Sequence, residues 1–164
     1  MRILGIDPGS TVTGFGIVEY ARSHLTLVVA GVIRPGRART LPERLGIIGD
    51  GLRDLLREHC PQAVSIERVF QHANVHSALV LAHIRGALML EVVRAGVTLH
   101  EYTALQVKKA LVGNGHADKD QVRSMVVRLL KVREIPAPHD VSDALAVAIC
   151  HAHSSESLGR RGGS

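Results

Sequence analysis

Residues 2–20, RILGIDPGSTVTGFGIVEY, decide how the chain is built. Arg2 to Asp7 is a short apolar run that ends in an acid, and Pro8-Gly9 then turns the chain. Val12 to Tyr20 continues with β-branched and aromatic residues, the composition of a second strand. Alternate side chains of a strand share a face. Ile3, Gly5 and Asp7 therefore look one way, and Leu4 and Ile6 the other.

Working outward, residues 24–34 (HLTLVVAGVIR) read as a third strand, joined to the second by the polar Ala21 to Ser23. Pro35 to Thr40 is a basic loop. Leu41, Leu45, Ile48, Leu52, Leu55 and Leu56 recur at helical spacing over 41–59, and Pro61 stops that helix. Residues 63–67 (AVSIE) form a fourth strand. It also ends in an acid, Glu67, with Val64 and Ile66 on its other face.

A long apolar helix spans 75–95, and 97–100 is a brief strand. Helices at 103–112 and 119–131 flank the loop 113–117. After Pro136 and Pro138, residues 140–153 form a helix that is almost wholly apolar beyond Asp143. Residues 154–164 lack periodicity and are expected to be a disordered tail. Three strands in succession, then strands alternating with helices, give an α/β fold. The expectation is a five-stranded mixed sheet, flanked by helices on both faces, in one domain over residues 1–153.

Of 164 residues, 46% are hydrophobic and 21% charged, enough to build a core. Four aromatics (Phe15, Tyr20, Phe70 and Tyr102) exclude a broad base-stacking platform. Cys60 and Cys150 make neither a disulfide framework nor a CxxC metal motif, so a reducing, cytoplasmic setting is expected. No signal peptide and no run of about 20 uncharged apolar residues is present, so no membrane association is expected. The net charge is +5. Between 104 and 133 stand Lys108, Lys109, Lys119, Arg123, Arg128, Lys131 and Arg133, against only Asp118 and Asp120, which accounts for the whole excess. A focused stretch of this kind is the footprint of a phosphate-binding face, or else a pair of solvated helix faces.

Asp7 and Glu67 end strands, and Asp140 and Asp143, three apart, project from one side of a helix. Four carboxylates carry four negative charges, which two Mg²⁺ ions would neutralise. Paired hard cations can activate water and stabilise a leaving oxygen in phosphodiester hydrolysis. Singly, each acid has an ordinary reading: a turn former at Asp7, a helix cap at Asp140, an arginine partner at Glu67. His139, four before Asp143, is a candidate to orient water or take a proton, or a surface residue. The Asp7-Pro-Gly-Ser turn also suits a phosphate-cradling hairpin of the actin-like ATPases. That fold needs a duplicated second half, and 164 residues without a repeat do not supply one.

Taken together, IDPGS-TVTGFG, SIERVF, NVHSAL at 74–79, the RGA at 85–87, QVKKALVGNGHADKDQV at 106–122 and Asp140-x-x-Asp143-Ala-Leu-Ala-x-Ala resemble the bacterial RuvC Holliday junction resolvases. These belong to the ribonuclease H-like superfamily. The resemblance implies a homodimeric endonuclease that uses Mg²⁺, with Mn²⁺ as a substitute, to cut opposed strands of four-way junction DNA during recombination and repair, alongside the RuvA and RuvB branch-migration proteins.

On this resemblance, Asp7, Glu67, Asp140 and Asp143 are the catalytic and metal-binding acids, with His139 a further catalytic candidate. Phe70 stacks near the junction centre, and Lys108 and Lys119 contact DNA. Lys109 and Arg123, in the same basic stretch, are added as DNA-binding candidates. Leu105 lies where some relatives carry Arg. An RNA-acting relative and a non-catalytic nucleic-acid binder are the alternatives.

Overall fold

The computed structural model describes residues 1–38, 40–68 and 74–161. Strands β1 (Arg2–Asp7), β2 (Thr13–Ala21), β3 (His24–Ile33), β4 (Ala63–Arg68) and β5 (Thr98–Thr103) form one sheet in the order β3-β2-β1-β4-β5. β1 to β3 are antiparallel neighbours, while β4 runs parallel to both β1 and β5. The sheet is therefore mixed, as the order of elements in the sequence implies.

The alternation of β1 sorts the core into two layers. Leu4 and Ile6, with Ile17, Val64 and Ile66, pack under Ile48 and Leu52 of α1 (Leu41–His59) and Ile84 and Leu88 of α2 (Val75–Arg94). Ile3 and Val18 face the opposite layer. There they meet Val107 and Leu111 of α3 (Ala104–Val112), Val126 of α4 (Lys119–Leu130), and Leu145 and Ile149 of α5 (His139–Arg161). Each fully buried Leu or Ile contributes roughly 1.5–3 kcal/mol, so both layers hold the sheet firmly.

Helix starts follow local chemistry. Thr40 with Glu43, Thr103 with Gln106, and Asp118 with Gln121 each form a reciprocal capping box. The last two fix where α3 and α4 begin, and so where Lys108 and Lys119 project.

α5 lies directly on β1 and β2. A β-carbon at Gly5 would collide with the Ala144 carbonyl and Ala148, and one at Gly14 with the Asp140 backbone. Gly5 pairs with Gly16, and Asp7 with Gly14, across the β1–β2 ladder. The glycines thus form a track that lets the helix backbone approach the sheet.

Two expectations need correction. β5 is longer than the 97–100 segment read from sequence. α5 runs past His153 to Arg161, so the stretch from 154 to 161 is helical rather than an irregular tail. Local periodicity is weak beyond 153, and the turns simply continue a helix already anchored on the sheet.

α2 is long and apolar enough by length and composition to cross a membrane, and 28% of its apolar window is buried. Val75, Leu79, Leu90 and Val93 lie exposed along one stripe, opposite the buried Leu81, Ile84, Leu88 and Val92.

Candidate active site

Asp7 stands at the end of β1 and Glu67 near the end of the adjacent parallel strand β4. The glycine track seats α5 over the same sheet end. As a result Asp7, Glu67 and Asp143 line one concavity of about 360 Å³ together with Pro8, Lys108 and Lys119. Its floor is apolar, from Leu81, Val107, Val122 and Ala146.

The electrostatics are those of an under-neutralised cluster. Burial and the nearby carboxylates of Asp143, Glu67 and Asp140 push the Asp7 carboxyl up to about 8. Burial and Asp143 also raise Glu67, opposed by Lys119, Lys108 and Arg85. The Lys119 ammonium, Nζ 3.4 Å from Asp143 Oδ2, is held charged mainly by Asp143. That side chain is largely exposed, so the pair alone adds little stability.

Arg85 holds the strand end from the other layer. Its guanidinium donates to the Glu67 carbonyl and pairs with Glu101 Oε2 at 3.4 Å. Sequence reasoning assigned Arg85 no role. A lone cation in the middle of an apolar helix was the available signal, because such a charge needs a partner once the helix packs.

The family model described as "Crossover junction endodeoxyribonuclease RuvC" matches residues 3–151. The chain belongs to the RuvC family. It is 50% identical to a crossover junction endodeoxyribonuclease RuvC of Paraburkholderia phymatum, over 99% of this chain and 89% of that one. The solved Thermus thermophilus RuvC is 33% identical and superposes with a TM-score of 0.87, covering 96% of this chain and 97% of the other. A second T. thermophilus RuvC structure, in complex with a Holliday junction substrate, is 30% identical, with a TM-score of 0.87 and 96% of each chain covered. The mixed five-stranded sheet is thus the RuvC, ribonuclease H-like fold.

Among the residues expected to act, the structure brings Asp7, Glu67, Asp143, Lys108 and Lys119 together. Asp140 and Asp143 do not share one concavity, although they lie three apart. Asp140 lines an adjoining trough with Gly9 and Arg34, while its charge still reaches Asp7. His139 is exposed at the start of α5 and does not line the acidic concavity. Lys109 is exposed on the next position of α3. Arg123 turns inward, donating from Nη2 to the Ile135 carbonyl at 3.0 Å, and so braces the segment before α5. Phe70 lies outside the described residues.

The donor chemistry fits a hard divalent cation. Three carboxylates face one space, and lysine is the cation at hand. Among the described residues, no three acidic, imidazole or thiol groups already stand at ligand spacing. The acids surround the concavity rather than close on a point.

Proposed function

We infer that this chain is a structure-selective endonuclease that resolves four-way DNA junctions by paired phosphodiester hydrolysis, in recombination and repair. The observation that carries the reading is the meeting of Asp7, Glu67 and Asp143 with Lys108 and Lys119 at one concavity of a RuvC-family chain. Asp7, Glu67, Asp140 and Asp143 are the residues that would hold Mg²⁺, two ions in the full site, with Mn²⁺ able to replace them. When bound, the cations lower the pKa of water and neutralise charge on the scissile phosphate.

The chain's own residues supply the rest. Lys108 and Lys119 attract and orient the phosphate backbone, which gives salt-sensitive affinity without reading sequence. Arg85 keeps the Glu67 backbone in place through its carbonyl. The apolar floor limits the water around the carboxylates and so strengthens their field on the reacting phosphate.

Symmetric cuts in two strands need two sites, and a two-fold homodimer supplies them. The exposed stripe Val75, Leu79, Leu90 and Val93 on α2 is the surface that a second copy would cover. The chain would act in the cytoplasm, where RuvA and RuvB would present the junction.

The test is cleavage of synthetic junctions with and without Mg²⁺, alongside linear duplex and RNA hybrids. Mg²⁺-dependent paired nicks in the junction, in preference to the other substrates, are expected. Preferential cutting of RNA would instead identify an RNA-acting relative, and tight binding without nicks a non-catalytic binder.

A further inference from the structure

A trough of about 650 Å³ adjoins the acidic concavity across the turn that follows β1. Asp7 and Pro8 line one side of this divide; Gly9, Ser10 and Thr11 line the other. Arg34, Pro138 and Asp140 line the trough as well. Resting on the endonuclease reading above, we propose that Arg34 holds a backbone phosphate of the cleaved strand on the opposite side of the carboxylates from Lys108 and Lys119.

Arg34 directly follows the last residue of β3, and Ile33 pairs with Thr13 in the sheet. Its backbone is therefore anchored, unlike that of a residue at a loop tip. Arg2, Arg53, Arg85 and Arg94 are each spent on a carboxylate, with Glu19, Glu91, Glu101 and Glu91 as partners. Arg34 has no carboxylate partner among the described residues, although it lines a concavity that also holds Asp140. A guanidinium offers planar, paired donors that match a phosphate, and the Ser10 and Thr11 hydroxyls beside it can add neutral hydrogen bonds.

Asp140 repels an anion that enters this trough alone, so a phosphate there needs the cation opposite. Gly9 lets the turn close tightly beside Asp140. A β-carbon at that position would strike the Val12 carbonyl and come within 3.4 Å of Asp140 Oδ1. A strand gripped by Lys108 and Lys119 can pass over this turn and be gripped again at Arg34. The two contacts fix its direction across the acids as well as its position.

The test is a salt titration of junction binding by a chain carrying Asp7→Asn, so that binding is read without cutting. Arg34→Ala should weaken binding roughly tenfold at low salt. It should also reduce the slope of log affinity against log salt by about 0.9, the value for one released counterion. Arg34→Lys should restore most of that slope, since it keeps the charge. Arg37→Ala, exposed on the same loop but not lining the trough, should match the parent.

An unchanged slope in Arg34→Ala, or an equal loss in Arg37→Ala, overturns the proposal. If the unmodified chain cuts junctions and Lys108→Ala loses slope while Arg34→Ala does not, this proposal falls alone. If the unmodified chain leaves junctions intact, the endonuclease reading falls and this one with it.

Discussion

Asp7 and Glu91 are both acids withdrawn from water, and their surroundings treat them in opposite ways. Glu91, on α2, is 6% exposed and grips two guanidinium groups, Arg53 Nε at 2.8 Å and Arg94 Nη1 at 3.1 Å. Arg53, as a hydrogen-bond donor, is the main reason its carboxyl is held below the ordinary range. Asp7 is surrounded by other carboxylates, and its carboxyl is pushed up to about 8, first by burial. A buried acid with its counter-charge built in ties α1 to α2. A half-buried acid set among other carboxylates costs the fold energy that Lys119 offsets only in part and that an incoming cation would recover.

The sharpest way to break this contrast is to neutralise each acid in turn. Asp7→Asn should reduce junction cleavage by more than about a thousandfold, equivalent to roughly 4 kcal/mol of barrier. Glu91→Gln should leave the cleavage rate of the folded chain within about threefold, since Glu91 lies at the other end of the sheet layer. Near-normal cutting by Asp7→Asn would remove Asp7 from the machinery.

Stability should move the opposite way. Glu91→Gln should cost about 1–3 kcal/mol through its lost charge-assisted hydrogen bonds, while Asp7→Asn should stabilise the metal-free chain at neutral pH by about 1–3 kcal/mol, because the amide needs no proton uptake to sit among the other carboxylates. Urea unfolding in a chelator measures both, and the same sign for the two variants would erase the distinction.

The pH profile sharpens the same point. Between the ordinary carboxyl value of 3.8 and about 8, the folded chain keeps a proton on Asp7 that the unfolded chain has released. Metal-free stability should therefore fall as pH rises through that window, by at most about 1.4 kcal/mol per unit from this group. Asp7→Asn should flatten that part of the profile. An unchanged slope between pH 5 and 7 in the variant would show that Asp7 is not the group responsible.

The smallest effect is expected from Lys108→Ala. Junction affinity should fall severalfold, with the salt slope reduced by about 0.9. Binding that is equally salt-sensitive in the variant would take Lys108 off the phosphate track.

Much of this was legible in the chain because it is local. Strand alternation placed Ile3, Gly5 and Asp7 on one face, and Ile3 and Gly5 do meet the α5 layer. The terminal acids of two parallel neighbours, Asp7 and Glu67, were marked by position alone. Other features depend on packing that spacing does not encode. Three-residue spacing put Asp140 and Asp143 on one side of a helix, and both do bear on the Asp7 carboxyl, but only Asp143 lines the same concavity as Asp7, while Asp140 lines the trough with Gly9. Arg123 counts as positive charge in the sequence, yet its guanidinium is used on the Ile135 carbonyl. Arg85 and Glu91 could be read only as interruptions of an apolar helix. Arg85 meets Glu101, 16 residues away, and although Glu91 has Arg94 three residues on, its shorter bond is to Arg53, 38 residues away.

The glycine track has a consequence for how such a protein can drift over generations. Leucine and valine in either layer can be exchanged with compensating repacking, because side chains have rotamers to spare. Where α5 meets Gly5 and Gly14 there is no such slack, since main chain faces main chain. A single methyl added there would lift the helix that carries Asp143 away from the strand that carries Asp7. The gauge of the reaction centre is thus set by atoms that are missing, and selection on cleavage would act on those two positions as strictly as on the acids themselves.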